Sequence, residues 1–308
     1  MITAQNANTS AIESTGDLRV INSLVTDASN QGLYSITVEG NRMNDSMMID
    51  LIDNYGYKID KFQNDMGTYP RYKIYWDSAD IESTFPNYIF LWDFANIDSY
   101  TGGSSVNDIS GNGDSGTIYN SPVNENGYIK LVGANSQYVI NNNDLTGYFS
   151  GTWPNRSTKF SLVMSIYPTG NGVIANESSL NGWHNTILEM VGGTLKFSLW
   201  DNSLRTITSS IATPFNKWYN VVLTYDGTTM AMYINNQIAG SRTITRTEPY
   251  NLNPAKPIYY AFGAADGTNS GDGGYGDFYL GRVELLDAAL SGTEIGEKYN
   301  FHVSRYGV

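Results

Sequence analysis

The chain has 308 residues, 41% of them hydrophobic and only 16% charged, with 31 Gly and 23 Tyr. That length and apolar content support one large β domain or two smaller ones, and the surplus of Gly and Tyr over charge favours turn-rich β structure over helical bundles. A formal net charge of −12 with two His and no Cys excludes disulfides and thiolate metal sites, leaves zinc short of ligands, and argues against nucleic acid, whose phosphate backbone an acidic surface repels.

In chain order, MITAQNANTSAIESTGDLRV has no basic stretch followed by an apolar core, so no secretory signal is expected. No apolar run reaches membrane-spanning length, so no membrane insertion is expected either. Residues 17–30 place Leu18, Ile21, Val25 and Ala28 at helical spacing, with Gly32 as the stop. LYSITVEG reads as a strand. Met47, Met48, Leu51, Ile52 and Tyr55 form a second helical stripe, capped by Asn44 or Asp45 and ended by Gly56. YKIDKFQ and RYKIYW read as two further strands. The order α, β, α, β, β describes a small α+β domain over residues 1–80 with a right-handed crossover, and residues 81–87 read as a linker.

Over residues 88–308 the helical period gives way to alternation in FSLVMSIYP, TILEM, LKFSLW, VVLTY and FYLGRVELL. Such segments, separated by Gly, Asn and Asp turns, predict a sandwich of two antiparallel sheets. In WYNVVLTYDGTTMAMYINNQIAG the pairs Asp226-Gly227 and Asn235-Asn236 tolerate positive φ and read as hairpin turns. Val221, Leu223 and Tyr225 fall on one face of that strand, with Trp218 and Val222 on the other, so both faces should be covered. Ser291 and Glu294 form a capping box for a short helix, SGTEIGEKYN.

FLWDFAN, NDISGNGDSGTIYNSP, YIKLVGANSQYV, FSLVMSIYP, the hairpin from Trp218 to Gly240, and FYLGRVELLDAALSGTEIGEKY follow one another as in laminin-G-like, concanavalin A-like jelly-roll domains, which this half resembles. The resemblance implies a mainly β fold, an antiparallel jelly-roll sandwich preceded by the small α+β domain, with a concave face that relatives use for sugars or protein partners. The first part, through DASNQGLYSITV, LIDNYGYKI and YKIYW, resembles a module of tailed-phage virion proteins. It implies an anchor that binds other virion proteins of the capsid or tail. The jelly roll would then be displayed at the virion surface as a decoration, fibre or tail component, adhering to host or environmental polysaccharide, and its edge strands could pair copies into a homo-oligomer. A bacterial carbohydrate-binding or glycan-processing protein and a purely structural capsid cement are the alternatives.

Glycoside hydrolases share the jelly-roll fold, and retaining ones need two carboxylates about 5 Å apart. Their E-x-D-x-x-E strand pattern is absent: Glu189 stands alone, Glu284 has Asp287 on the opposite face, and Asp80 and Glu82 fall where the first domain passes into the linker. Glu189 and Glu284 are expected to face solvent. Only His184 and His302 could act as a base beside a nucleophile, and neither belongs to a triad pattern. The expectation is a protein without catalytic residues. Calcium, which takes oxygen ligands, is the one cofactor with candidates: Asp108, Asn112 and Asp114 in one Gly-rich loop, and Asp266 and Asp277 flanking another. The same residues also serve as turn formers. For sugars, Leu195, Phe197 and Leu199 alternate inward, leaving Trp200 outward as an aromatic platform. Trp183 and Tyr275 in loops are further platforms, with Asn181, Asn202 and Asp272 as hydroxyl partners, whereas Trp92, Trp218 and Trp76 read as core.

Overall fold

The computed structural model describes residues 35–39, 58–62, 71–75 and 88–306, except 97, 126, 149–158, 179–183, 201–202, 245–257 and 265–273. The chain divides into two compact units, Met1–Pro86 and Asn87–Val308.

In the first unit, β1 (Ser35–Glu39), β2 (Lys58–Phe62) and β3 (Arg71–Tyr75) form a sheet in the order β1-β3-β2. Both outer strands run antiparallel to β3, so β1 and β2 are parallel to each other with β3 between them. These are the three strands read from the sequence. The two helices expected around them, the hand of the crossover and Trp76 lie outside the described residues.

The second unit runs β4 (Tyr88–Asp93), β5 (Ser105–Val106), β6 (Gly116–Tyr119), β7 (Val123–Glu125), β8 (Tyr128–Leu131), β9 (Tyr138–Asn141), β10 (Phe160–Pro168) and β11 (Gly172–Ser178). It continues with β12 (His184–Val191), β13 (Thr194–Trp200), β14 (Leu204–Thr208), β15 (Tyr219–Tyr225), β16 (Thr229–Ile234), β17 (Gln237–Thr243), β18 (Tyr259–Phe262), β19 (Phe278–Leu286) and the helix α1 (Gly292–Tyr306). One sheet has the order β17-β16-β15-β10-β19-β8-β7, with β4 also paired to β19, and the other β14-β13-β12-β11-β18-β9-β6-β5. Every pairing is antiparallel, as a jelly roll requires.

The core lies between the sheets. Phe90 and Trp92 stack at 4.3 Å, and Phe262 meets the indole edge-on at 5.7 Å. Gly116 on β6 must lack a side chain here, because a Cβ would sit 2.9 Å from the Trp92 ring. Val221, Leu223 and Tyr225 enter this core, while Val222 is buried on the opposite face of β15.

That opposite face is closed by α1. Its start is the expected capping box: the Ser291 N–H donates to Glu294 Oε2 at 2.6 Å and the Glu294 N–H to Ser291 Oγ at 3.3 Å. The helix is longer than the sequence reading allowed, continuing through Phe301 and His302 to Tyr306. Ile295, Lys298, His302 and Arg305 recur at three- and four-residue spacing, one helical face. Gly281 on β19 lets the helix end approach, since a Cβ there would lie 2.6 Å from the Tyr306 ring.

Glu284 corrects the sequence reading. Rather than facing solvent it is fully buried beneath α1, where Arg282 Nε lies 2.7 Å from Oε1 and Lys298 Nζ 2.5 Å from Oε2. Arg282 Nη1 reaches Asp93 at 2.9 Å, and Arg305 pairs with the same carboxylate. Alternation placed Glu284 correctly on the outer face of its strand, but the helix then covered that face. Burial alone would raise its carboxyl, yet Lys298 and Arg282 outweigh burial and hold it well below the usual carboxylate range.

Candidate functional site

At one end of the sandwich the segment before β15, the β16–β17 turn and α1 border an open cleft of about 710 Å³. Its floor is buried Tyr219 and Ile234; half-buried Trp218 and Tyr299 line it, and exposed Lys217 and Gln237 also border it. Trp218 was read as core, and the structure moves it. The ring does lie on the face opposite Val221, but there it packs at 4.8 Å on Tyr306 in the last turn of α1 and stays half-exposed. Tyr128 and Tyr167, at 5.3 and 5.6 Å, hold it from the other strands.

Local hydrogen bonds fix each wall. Asn235 and Asn236, with φ of 49° and 61°, form the two-residue turn expected of that pair. The Asn235 N–H donates to the Asn220 carbonyl at 2.8 Å, and Asn235 Oδ1 accepts the Asn220 N–H at 2.9 Å. The amide therefore has its NH₂ left to offer. The Tyr219 hydroxyl donates to the Pro214 carbonyl at 2.9 Å, and the Asn216 N–H donates to the Pro168 carbonyl at 2.8 Å, pinning the segment that carries Lys217. An aromatic face bordered by amides and one ammonium, on a rigid frame, suits a polyhydroxylated ring, whose face is apolar and whose edge is polar.

The residues read from the sequence as sugar contacts are not gathered here. Leu195, Phe197 and Leu199 are buried in the core, and on the outer face of β13 Lys196 pairs with Glu189 at 3.6 Å. The side chain of Trp200, together with Trp183, Asn181, Asn202 and Asp272, lies outside the described residues. Tyr275 sits with the other sheet: it bridges Ala264, and its ring is 6.3 Å from Tyr138, which stacks on Tyr119 at 4.5 Å.

Of the calcium candidates, Asp266 lies outside the described residues. Asp108 accepts the N–H groups of Leu91, Ser110 and Asp114 and the Ser110 hydroxyl, at 2.8 to 3.1 Å. Asn112 donates to the Tyr88 carbonyl at 2.5 Å, and Asp277 Oδ1 accepts from the Gly133 N–H at 2.7 Å. Asp114 is buried beside Asn141 and Asn143; burial pushes its carboxyl up to about 6 against their hydrogen bonds, with Asp108 adding to the rise. These carboxylates are surrounded by donors, whereas calcium would need converging oxygens. Among the described residues no three acidic or imidazole groups converge as a metal cage.

Ser165, His302 and Glu284 do stand in a line. Ser165 Oγ hydrogen-bonds His302 Nδ1, and His302 Nε2 lies 3.7 Å from Glu284 Oε1. All three are buried between α1 and the sheet, which gives a substrate no approach and makes them a clasp for the helix. Glu284 and Asp93 are likewise tied to a shared Arg282 rather than facing a cleft.

Residues 152–296 match a laminin G family model described as the concanavalin A-like lectin/glucanases superfamily. The two antiparallel sheets of the second unit have the concanavalin A-like jelly-roll fold. The fold is shared by the receptor binding domain of botulinum neurotoxin D, at a TM-score of 0.52 and 16% identity over 72% of this chain and 54% of that one. A structure of botulinum neurotoxin type C, whose cell entry is dependent upon interaction with two ganglioside molecules, matches at 0.51 and 15% identity over 73% and 53%. The binding domain of botulinum neurotoxin DC in complex with SialylT matches at 0.50 and 16% over 72% and 52%. The jelly-roll chain thus spans about half the length of these binding domains, and at such identities the likeness is one of fold. No protein of curated function matches.

The cleft was missed in the sequence because its members come from three separate segments. The signals were the adjacent Lys217-Trp218 pair and the Asn-Asn turn, and they become a site only once α1 brings Tyr299 alongside.

Proposed function

We propose that the second unit is a non-catalytic carbohydrate-binding module and that the Trp218 cleft is its sugar site. The observation that carries this reading is the cleft itself, with aromatic Trp218 and Tyr299, amide-bearing Asn235 and Gln237, and, among the described residues, no paired carboxylates in its lining. The jelly-roll fold of residues 152–296 supports it, as do neurotoxin neighbours that engage gangliosides or SialylT.

In the same proposal the first unit anchors the chain to capsid or tail proteins of a phage, and the module acts at the virion surface as a decoration, fibre or tail component, alone or as a homo-oligomer. The motifs of the first unit support this part. Detection of the chain in purified particles tests it; its absence from them would remove the virion from the account and leave the sugar site standing.

The sugar site is tested by titrating the full chain against a glycan panel, with Trp218→Ala and Trp200→Ala variants, in calcium and in chelator. Saturable binding lost on Trp218→Ala supports the cleft. Loss on Trp200→Ala alone moves the site to β13, and loss in chelator adds a metal.

A further inference from the structure

The cleft is locally unlike the rest of the molecule. The chain carries 30 acidic against 18 basic residues, yet among the described residues the cleft is lined by Lys217 and by no carboxylate. Gln237 and Tyr299 can donate or accept, but two of its polar groups are turned toward donation. Asn235 spends its oxygen on the Asn220 N–H, so its NH₂ remains, and the Lys217 ammonium has donors only. A neutral sugar edge, which offers hydroxyls that both donate and accept, does not need such a bias. A carboxylate, which only accepts, does.

Chain geometry puts the two recognition elements side by side. Trp218 supplies the face, and Lys217 immediately precedes it in an exposed position, with a four-carbon stem that can lie along a stacked ring and bring its charge to the ring's edge. Because the molecule as a whole is strongly anionic, long-range attraction cannot account for affinity toward an anion; contact with this one cation must.

We infer that the Trp218 cleft selects a pyranose bearing a carboxylate, with Lys217 as the residue that determines the preference; the inference rests on the carbohydrate reading above. A sialic acid at a glycan end and a uronic acid in a polysaccharide share this chemistry.

The test is calorimetric titration of the full chain with 3′-sialyllactose, a glucuronic-acid-terminated oligosaccharide and lactose. The expected result is binding of at least one acidic sugar about tenfold tighter than lactose, the equivalent of about 1.4 kcal/mol, with the stronger acidic ligand identifying the source. Lys217→Gln should collapse the preference toward unity, Lys217→Arg should keep most of it, and Lys159→Gln, an equal charge change at another exposed position, should leave it intact. Far-ultraviolet circular dichroism checks that each variant is folded. Equal binding of acidic and neutral sugars, or a preference that survives Lys217→Gln, overturns the inference and leaves the carbohydrate reading in place. Binding of no sugar, acidic or neutral, overturns both.

Discussion

Lys298 on the C-terminal helix reaches Glu284 on the strand beneath it at 2.5 Å, and both side chains are sealed from solvent. The pair is completed by Arg282 on the other carboxylate oxygen and by the Tyr88 hydroxyl, to which Lys298 also donates. Removing one member of such a pair leaves the other charged and buried, a loss of about 3–5 kcal/mol. Lys298→Met should therefore lower unfolding free energy by about that amount, and Glu284→Gln by a similar one, in urea titrations. A cost under about 1 kcal/mol would mean that the helix docks through its apolar contacts alone.

The same interface sets a pH dependence. Burial lowers the His302 pKa below its ordinary 6.5, more than Glu284 raises it, so the folded protein takes up this proton less readily than the unfolded chain. The unfolded chain then binds more protons than the folded one, and the contribution, complete above about 6.5, erodes as pH falls below it. Glu284, with a folded pKa held low, adds a second loss as pH falls below its ordinary 4.5. Melting temperature should fall from pH 7 toward pH 4. His302→Gln should flatten the upper part of that fall, and an unchanged profile would show that His302 does not titrate on unfolding.

Asp114 works in the opposite sense. Its pKa of about 6 exceeds the ordinary 3.8, so the stabilisation of its protonated form is lost as pH rises through 6. Asp114→Asn should stabilise the protein at pH 7.5 and change little at pH 4. If calcium occupies the loop, the sign reverses: the variant would melt lower than the parent in calcium, and a chelator would erase the difference.

Asn220, one residue beyond the cleft floor, is fully buried with neither amide atom hydrogen-bonded. An unsatisfied buried amide costs about 1–3 kcal/mol, so Asn220→Leu, of similar volume, should raise stability by about that much. A drop instead would show that the amide has a partner when the protein is folded in solution.

The strands were legible because alternation survives burial on one face: FSLVMSIYP is β10 from end to end, and Leu195, Phe197 and Leu199 point inward as read. What lies over the outer face was not legible. Glu284 and Trp218 were on the faces that parity assigns, but only the docked helix decides that one is sealed in an ion cluster and the other becomes the wall of a cleft. The capping box announced where that helix starts; its length followed from Phe301, His302 and Arg305 finding partners on β19 and β4, which no local signal contains.

The most direct measurement is titration of the full chain and its Trp218→Ala variant against the neutral and acidic glycan panel. A sugar site at Trp218 gives saturable binding by the parent that the variant loses while remaining folded. Binding unaffected by the substitution would place the sugar elsewhere on the jelly roll, and no binding by the parent would contradict the carbohydrate-binding assignment itself.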